Sequence, residues 1–363
     1  MIVFGDENIV LLREILSPYC EYHTFAGRQL KNIDLINSKC DILFTRSQTL
    51  INSELLENTN IKLVATATSG IDHVDLKYIT QRNIPFYSAL GSNSNSVAEY
   101  VVFSILKWGI ENNIDLNEVT IGIVGYGNIG SKVAFYSALL GLNILVNDPP
   151  LSNSGFQFPD YTQYMELDEL IAKCNILTNH VPLTHGSKYN TFKLFNYDNL
   201  KNINNDSLII HASRGGIIDE EALLKLKGEK NITLVIDVWD NEPLFNEELA
   251  EKSYIATPHI AGHTHNGKLN GTLMMVDAFE KHTLTDIDKS LIVNELSKSN
   301  LLNITDFIKR YDLYNHLVFT RQIMSDDMKF RKLFGQSNNH KTIGFDFLRK
   351  NYPIRYESLR AAI

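Results

Sequence analysis

Three segments in the second half of the chain place the residue types of an acid–base reaction at the ends of apolar runs. HASRGGIIDEEAL (211–223) leads from a strand pattern into Ser213, Arg214 and two glycines; VIDVWDNEP (235–243) carries Asp237, Asp240 and Glu242; ATPHIAGH (256–263) holds His259 after Thr257-Pro258. An arginine at a strand tip can grip a carboxylate through two parallel hydrogen bonds. A histidine can take the proton of a carbinol, and a neighbouring carboxylate can orient its ring. Arg214 as clamp, His259 as base and Glu242 as orienter therefore meet the needs of hydride transfer from a hydroxy acid. Singly, Arg214 also suits a structural ion pair, Glu242 a solvated turn and His259 a satisfied core position. Their convergence with a cofactor loop favours the chemistry.

That loop is in TIGIVGYGNIGSKVAFYSALLGLNILVND (120–148). An apolar run, G-x-G-x-x-G at Gly125, Gly127 and Gly130, a helical pattern and a second strand closed by Asp148 make a dinucleotide-binding βαβ unit. The first glycine permits the tight turn, the second lets the backbone approach a pyrophosphate, and the third allows close packing of helix on strand. Backbone N–H groups of the loop, Asn128 and Ile129 included, face the phosphates at the new helix N-terminus. Asp148 stands where a carboxylate bonds ribose hydroxyls and repels a 2′-phosphate, so NAD is expected rather than NADP. Metal is not expected. His259, His263 and His265 are close in sequence, but Thr257-Pro258 and Gly262 make the segment a loop without cysteine or carboxylate.

The elements that must position these groups alternate strand and helix. Met1–Phe4, Asp41–Thr45, Ile61–Thr66 and Ile84–Tyr87 have strand patterns, and Val10–Leu16 and Val74–Gln81 helical ones. Such alternation means a parallel sheet covered by helices, with ligands beyond the carboxyl ends of the strands. Arg46, Ser47 and Thr66–Gly70 stand at such ends. GSNSN (91–95) suits a hinge, after which Ser96 and Glu99 have the spacing of a capping box opening a long helix. Helices at 167–174, 219–226 and 265–282 and strands at 176–178, 207–211 and 232–238 continue the pattern, for about six parallel strands in the second domain. Residues 286–363 are more charged and end in FLRKNYPIRYESL, a small α+β appendage.

At 363 residues with 44% hydrophobic content, the chain has the size and composition of two or three globular domains. A net charge of −8 without a basic run gives nucleic acid no electrostatic footprint. The three cysteines, Cys20, Cys40 and Cys174, are scattered, and neither a signal pattern nor a membrane span is expected, which points to the cytoplasm.

VGYGNIG, NHVPLT (179–184), HASRGGIIDEEAL, VIDVWDNEP and TPHIAGHT, in this order, resemble the D-isomer-specific 2-hydroxyacid dehydrogenases over about residues 40–280. TATSGIDHVD (66–75), VNDPP (146–150), AGHTHNGKLNGT (261–272) and FDFLRKNYPIRYE (345–357) resemble a branch acting on a phosphorylated 2-hydroxy acid. The resemblance implies an α/β architecture of two Rossmann-like or flavodoxin-like parallel-sheet domains plus a small C-terminal α+β dimerisation domain. Residues 1–91 and 262–285 would form the substrate domain, 92–261 the NAD-binding domain and 286–363 the homodimer contact. It implies catalytic roles for Arg214, Glu242 and His259, substrate contacts at Ser47 and Thr68, and cofactor contacts at Asp148, Thr178, Ala212, Ser213, Arg214, Asp237 and Gly262. Where that branch commonly carries tyrosine, this chain has His263, which can still donate a hydrogen bond to substrate. Glycerate, lactate or 3-phosphoglycerate as substrate, and an NAD-sensing binding protein, are the alternatives that the motifs leave open.

Overall fold

The apolar runs of residues 1–88 are short, mostly buried and separated by helical crossovers, conditions under which strands pair in parallel. The computed structural model describes residues 1–186 and 188–360. Its first sheet comprises β1 Ile2–Asp6, β2 Glu21–Phe25, β3 Ile42–Thr45, β4 Leu63–Thr66 and β5 Phe86–Ser88, all parallel, in the order β2-β1-β3-β4-β5. β2 has no counterpart in the apolar pattern because EYHTF is a largely exposed edge strand. Thr45 pairs with Thr66 and Thr66 with Ser88, so the chain leaves these three strands at one level.

The second sheet comprises β6 Thr120–Val124, β7 Asn143–Asn147, β8 Thr162–Tyr164, β9 Ile176–Asn179, β10 Leu208–His211, β11 Thr233–Ile236 and β12 Ile255–Ala256, in the order β12-β11-β10-β9-β6-β7-β8. Seven strands replace the six or so expected. The short outer ones, β8 and β12, carry too few residues to show a period. Neighbouring residues point to opposite faces. Ile210 and Val235 join one apolar core with Ile121 and Val146, while Ile209 and Leu234 join another with Leu177 and Trp239. Val124 pairs with Asn147 and with Asn179, Asn179 with His211, and His211 with Ile236. This register sets Gly125, Asp148, His180, Ala212 and Asp237 side by side at the carboxyl ends.

The helix Ser94–Glu111 is buried nearly all round, in keeping with its apolar sequence. Phe103, completely buried in it, would cost about 3–5 kcal/mol if cut to alanine. The capping-box expectation is corrected here. The helix begins at Ser94, so Ser96 and Glu99 lie within it, and both are wholly buried. Ser96 Oγ donates to Glu357 at 2.7 Å, and Glu99 pairs with Arg321 at 2.7 Å and accepts the Ser358 and Leu359 N–H groups, each at 2.6 Å. A motif whose partners stand 222 to 261 residues away cannot be told from a local cap by spacing alone.

By residue contacts the chain divides into two compact units: Met1–Asn93 with Thr264–Asn300, and Ser94–His263 with the residues from Leu301 onward. In the first, the helix His265–Thr283 packs on β4, β5 and the helix Leu12–Leu16. In the second, the C-terminal segment is helical where α+β was expected, with helices Arg310–Arg321, Ile323–Arg331 and Asn338–Lys350 and one isolated bridge, Leu302 to Leu359. Its aromatic end follows helical spacing: Phe345 and Leu348, three apart, both pack on the core beside Trp239. Residues 361–363 lie outside the described residues. No helix of the described residues is long and apolar enough to cross a membrane.

Candidate active site

The three glycines after β6 meet three different surroundings. Gly125 has φ +91°, and a Cβ on it would stand 2.9 Å from the His180 carbonyl carbon. A Cβ on Gly130 would lie 1.9 Å from the Gly125 oxygen, while one on Gly127 would meet nothing within 4 Å. Only the middle glycine, then, leaves bare backbone facing open space. Beyond it the helix Gly130–Leu139 starts without a side-chain cap. A pyrophosphate fits such a cradle, and the loop suits NAD. Asp148 accepts the Tyr126 N–H at 2.8 Å through one oxygen and the Leu151 N–H at 3.0 Å through the other. It thereby ties the glycine turn to the helix Pro149–Asn153 that Pro149 and Pro150 open. A carboxylate has about four acceptor positions, so two remain for ribose hydroxyls.

Across the strand tips, Thr178 is buried, with its hydroxyl 3.1 Å from His180 Nε2. Burial pushes His180 down to about 3. Ala212 and Ser213 follow β10 and are buried, Ser213 Oγ donating to Asn179 Oδ1. Arg214 is half-buried and donates to the Ser213 carbonyl at 2.8 Å. The two glycines after it serve close approach: a Cβ on Gly215 would lie 2.0 Å from the Trp239 oxygen, and the Gly216 N–H donates to Asp240 at 2.6 Å. The Arg214 loop is thus pressed against the segment that leads to Glu242.

Glu242 Oε2 lies 2.7 Å from His259 Nδ1, and Glu242 Oε1 accepts the Trp239 N–H at 3.0 Å. Burial pushes the Glu242 carboxyl up, but His259, Arg349 and the Trp239 N–H together outweigh it and hold it below the usual carboxylate range. His259 itself has φ +55°, a left-handed conformation that costs a side-chain-bearing residue roughly 1–3 kcal/mol. Asp237 sustains it. Its backbone oxygen accepts the His259 N–H at 2.7 Å, and its carboxylate accepts Ile260 N–H at 2.8 Å, Ala261 N–H at 3.0 Å and Thr257 Oγ1 at 2.6 Å. Asp237, named above as a cofactor contact, is 1% exposed and so has a role in shaping the catalytic loop. The sequence reasoning missed this, although the apolar run VIDV ending on an acid was its signal. It also missed His211, which is buried and within electrostatic reach of Glu242 and His259.

Further along the loop, Gly262 is half-buried, and His263 donates its N–H to Ile260 at 2.8 Å and sets its ring edge-on to Tyr352 with centroids 5.4 Å apart. His265 pairs instead with Glu295 at 3.6 Å, in the first unit. Ser47 and Thr68 also belong to the first unit, just past β3 and β4; Ser47 is exposed, and Thr68 Oγ1 is 2.8 Å from Thr66 Oγ1. The geometry therefore joins Glu242 to His259 directly and to Arg214 through Gly215.

Residues 106–261 match the model of the D-isomer specific 2-hydroxyacid dehydrogenase NAD binding domain. Erythronate-4-phosphate dehydrogenase of Pseudoalteromonas translucida is 37% identical over 98% of this chain and 93% of its own length. That of Proteus mirabilis is 36% identical with the same coverage. Among solved structures, the NAD+-bound 3-phosphoglycerate dehydrogenase of Entamoeba histolytica superposes with a TM-score of 0.64 at 25% identity, over 78% of this chain and 95% of that one. D-lactate dehydrogenase of Aquifex aeolicus, complexed with NAD and lactic acid, shares the fold with a TM-score of 0.65 at 23% identity, over 78% and 96%. The chain belongs to the erythronate-4-phosphate dehydrogenases, within the NAD-binding D-isomer-specific 2-hydroxyacid dehydrogenases.

Proposed function

We propose that the chain oxidises 4-phospho-D-erythronate at C2 to (R)-3-hydroxy-2-oxo-4-phosphobutanoate, in pyridoxal 5′-phosphate biosynthesis. The observation that carries this reading is the 2.7 Å contact of Glu242 with His259, on the unit that bears the glycine loop. His259 removes the hydroxyl proton through Nε2, since its Nδ1 is engaged by Glu242. Arg214 fixes the C1 carboxylate, and Ser47, Thr68 and His263 contact the rest of the substrate. Gly125–Gly130, Asp148, Thr178, Ala212–Arg214, Asp237 and Gly262 would hold NAD, which when bound supplies the hydride acceptor. NADH formation from 4-phospho-D-erythronate by wild type and His259→Ala tests the assignment. A fall of about 10²–10⁴-fold is expected, and equal rates would overturn the base.

The same reading makes the protein a cytoplasmic homodimer, with the first unit as substrate domain and the C-terminal region as the contact between subunits. Ile308, Phe319, Phe347 and Ile354 support it, as large apolar side chains 94%, 78%, 61% and 73% exposed in a single chain. Sedimentation should give a dimer that Phe319→Asp weakens; a monomeric wild type would refute it.

A further inference from the structure

The helix His265–Thr283 lies across the carboxyl ends of the first sheet. Asn270 Nδ2 donates to Ser92 O at 3.3 Å, beyond β5; a Cβ on Gly271 would stand 3.3 Å from the Ala67 oxygen, beyond β4; Thr272 Oγ1 donates to Val10 O at 2.7 Å, beyond β1. Lys268 precedes Gly271 by three residues and Thr272 by four, and so shares their face of the helix. β3 lies between β1 and β4, and Arg46 is the first residue beyond it. Lys268 is half-buried at these strand ends. Burial pushes its ammonium down and the like charge of Arg46 pushes it further; no carboxylate acts on it.

Two cations brought together with partial loss of water repel each other, and that arrangement is stabilised only by an anion between them. Ser47 and Thr68, hydroxyls suited to a phosphoryl oxygen, follow the same two strands, β3 and β4. We propose that Arg46 and Lys268 form the site that holds the substrate's phosphoryl group, so that the first unit grips the phosphate end of the molecule. The proposal rests on the reading of the substrate as a phosphorylated 2-hydroxy acid. It makes the pair the determinant of preference for phosphorylated over plain hydroxy acids.

The test uses the full-length enzyme and its Lys268→Met, Lys268→Arg and Arg46→Met variants. The ratio of kcat/KM for 4-phospho-D-erythronate to that for D-erythronate should fall at least about tenfold in either methionine variant, as when one charge-assisted hydrogen bond is lost, and recover in Lys268→Arg. Inorganic phosphate, followed by calorimetry, should bind wild type and lose about tenfold in affinity in Lys268→Met. NADH affinity reports whether each variant is folded. An unchanged ratio, or phosphate binding equal in wild type and Lys268→Met, overturns the proposal. If wild type turned over no phosphorylated hydroxy acid, the substrate reading would fall, and the phosphate titration alone would decide the site.

Discussion

The carboxylate of Glu242 bridges two partners, the ring of His259 at 2.7 Å and the N–H of Trp239 at 3.0 Å, so the orientation of the base is set by a side chain that is itself anchored to the backbone. Glu242→Gln keeps the shape and one acceptor but removes the charge that stabilises imidazolium. Its kcat for NADH formation should fall by about 10²-fold or more with NADH affinity little changed. A loss of less than twofold would show that the ring is held by the loop alone.

The glycine loop separates fold from function at adjacent positions. Gly127→Ala points a methyl group into open space, so thermal stability should stay the same while NAD affinity falls about tenfold or more. Gly130→Ala drives a methyl group onto the Gly125 oxygen and should cost at least about 1–3 kcal/mol in urea denaturation. Equal effects of the two on stability would contradict the distinct surroundings.

Arg321 is fully buried, pairs with Glu99 and donates to the Ala261 oxygen at 3.1 Å, two residues beyond His259. Arg321→Met should cost about 3–5 kcal/mol because it strands a buried carboxylate. Adding Glu99→Gln should recover part of that loss. Failure of the double variant to exceed the single one in stability would show that the pair is not coupled.

Burial pushes His211 down to about 3, with His259 and His180 acting in the same direction and Glu242 against. Between pH 6.5 and 3 the unfolded chain binds a proton there that the folded one does not. Stability from this group is therefore complete above pH 6.5 and declines as pH falls. At pH 5 the loss is about 2 kcal/mol. In His211→Gln, the difference in unfolding free energy between pH 8 and pH 5 should shrink by about that amount, and an unchanged difference would refute the burial account.

Much of this site is legible in the chain because its signals are local. The glycines, the closing Asp148 and the acid–base residues each stand at the end of an apolar run, and parallel sheets put such ends on one edge. What is not legible depends on distant partners. Ser96 and Glu99 satisfy the spacing of a cap but serve Glu357 and Arg321, and β2 is polar because it is an edge. The left-handed turn at His259 leaves no trace in ATPHIAGH, since the force that sustains it comes from Asp237, twenty-two residues earlier.

The helix Ser94–Glu111 buries Ser96 and Glu99, whose partners stand at 321 and 357–359. During synthesis the nucleotide-binding half is therefore exposed to water long before the residues that neutralise its interior have been made. Until the ribosome releases the last few residues, that helix carries a carboxylate it cannot bury without loss. Ripening of the cofactor pocket is timed to the end of translation, and a nascent chain cut short by even a few residues leaves the quality-control machinery an unfinished first helix to recognise.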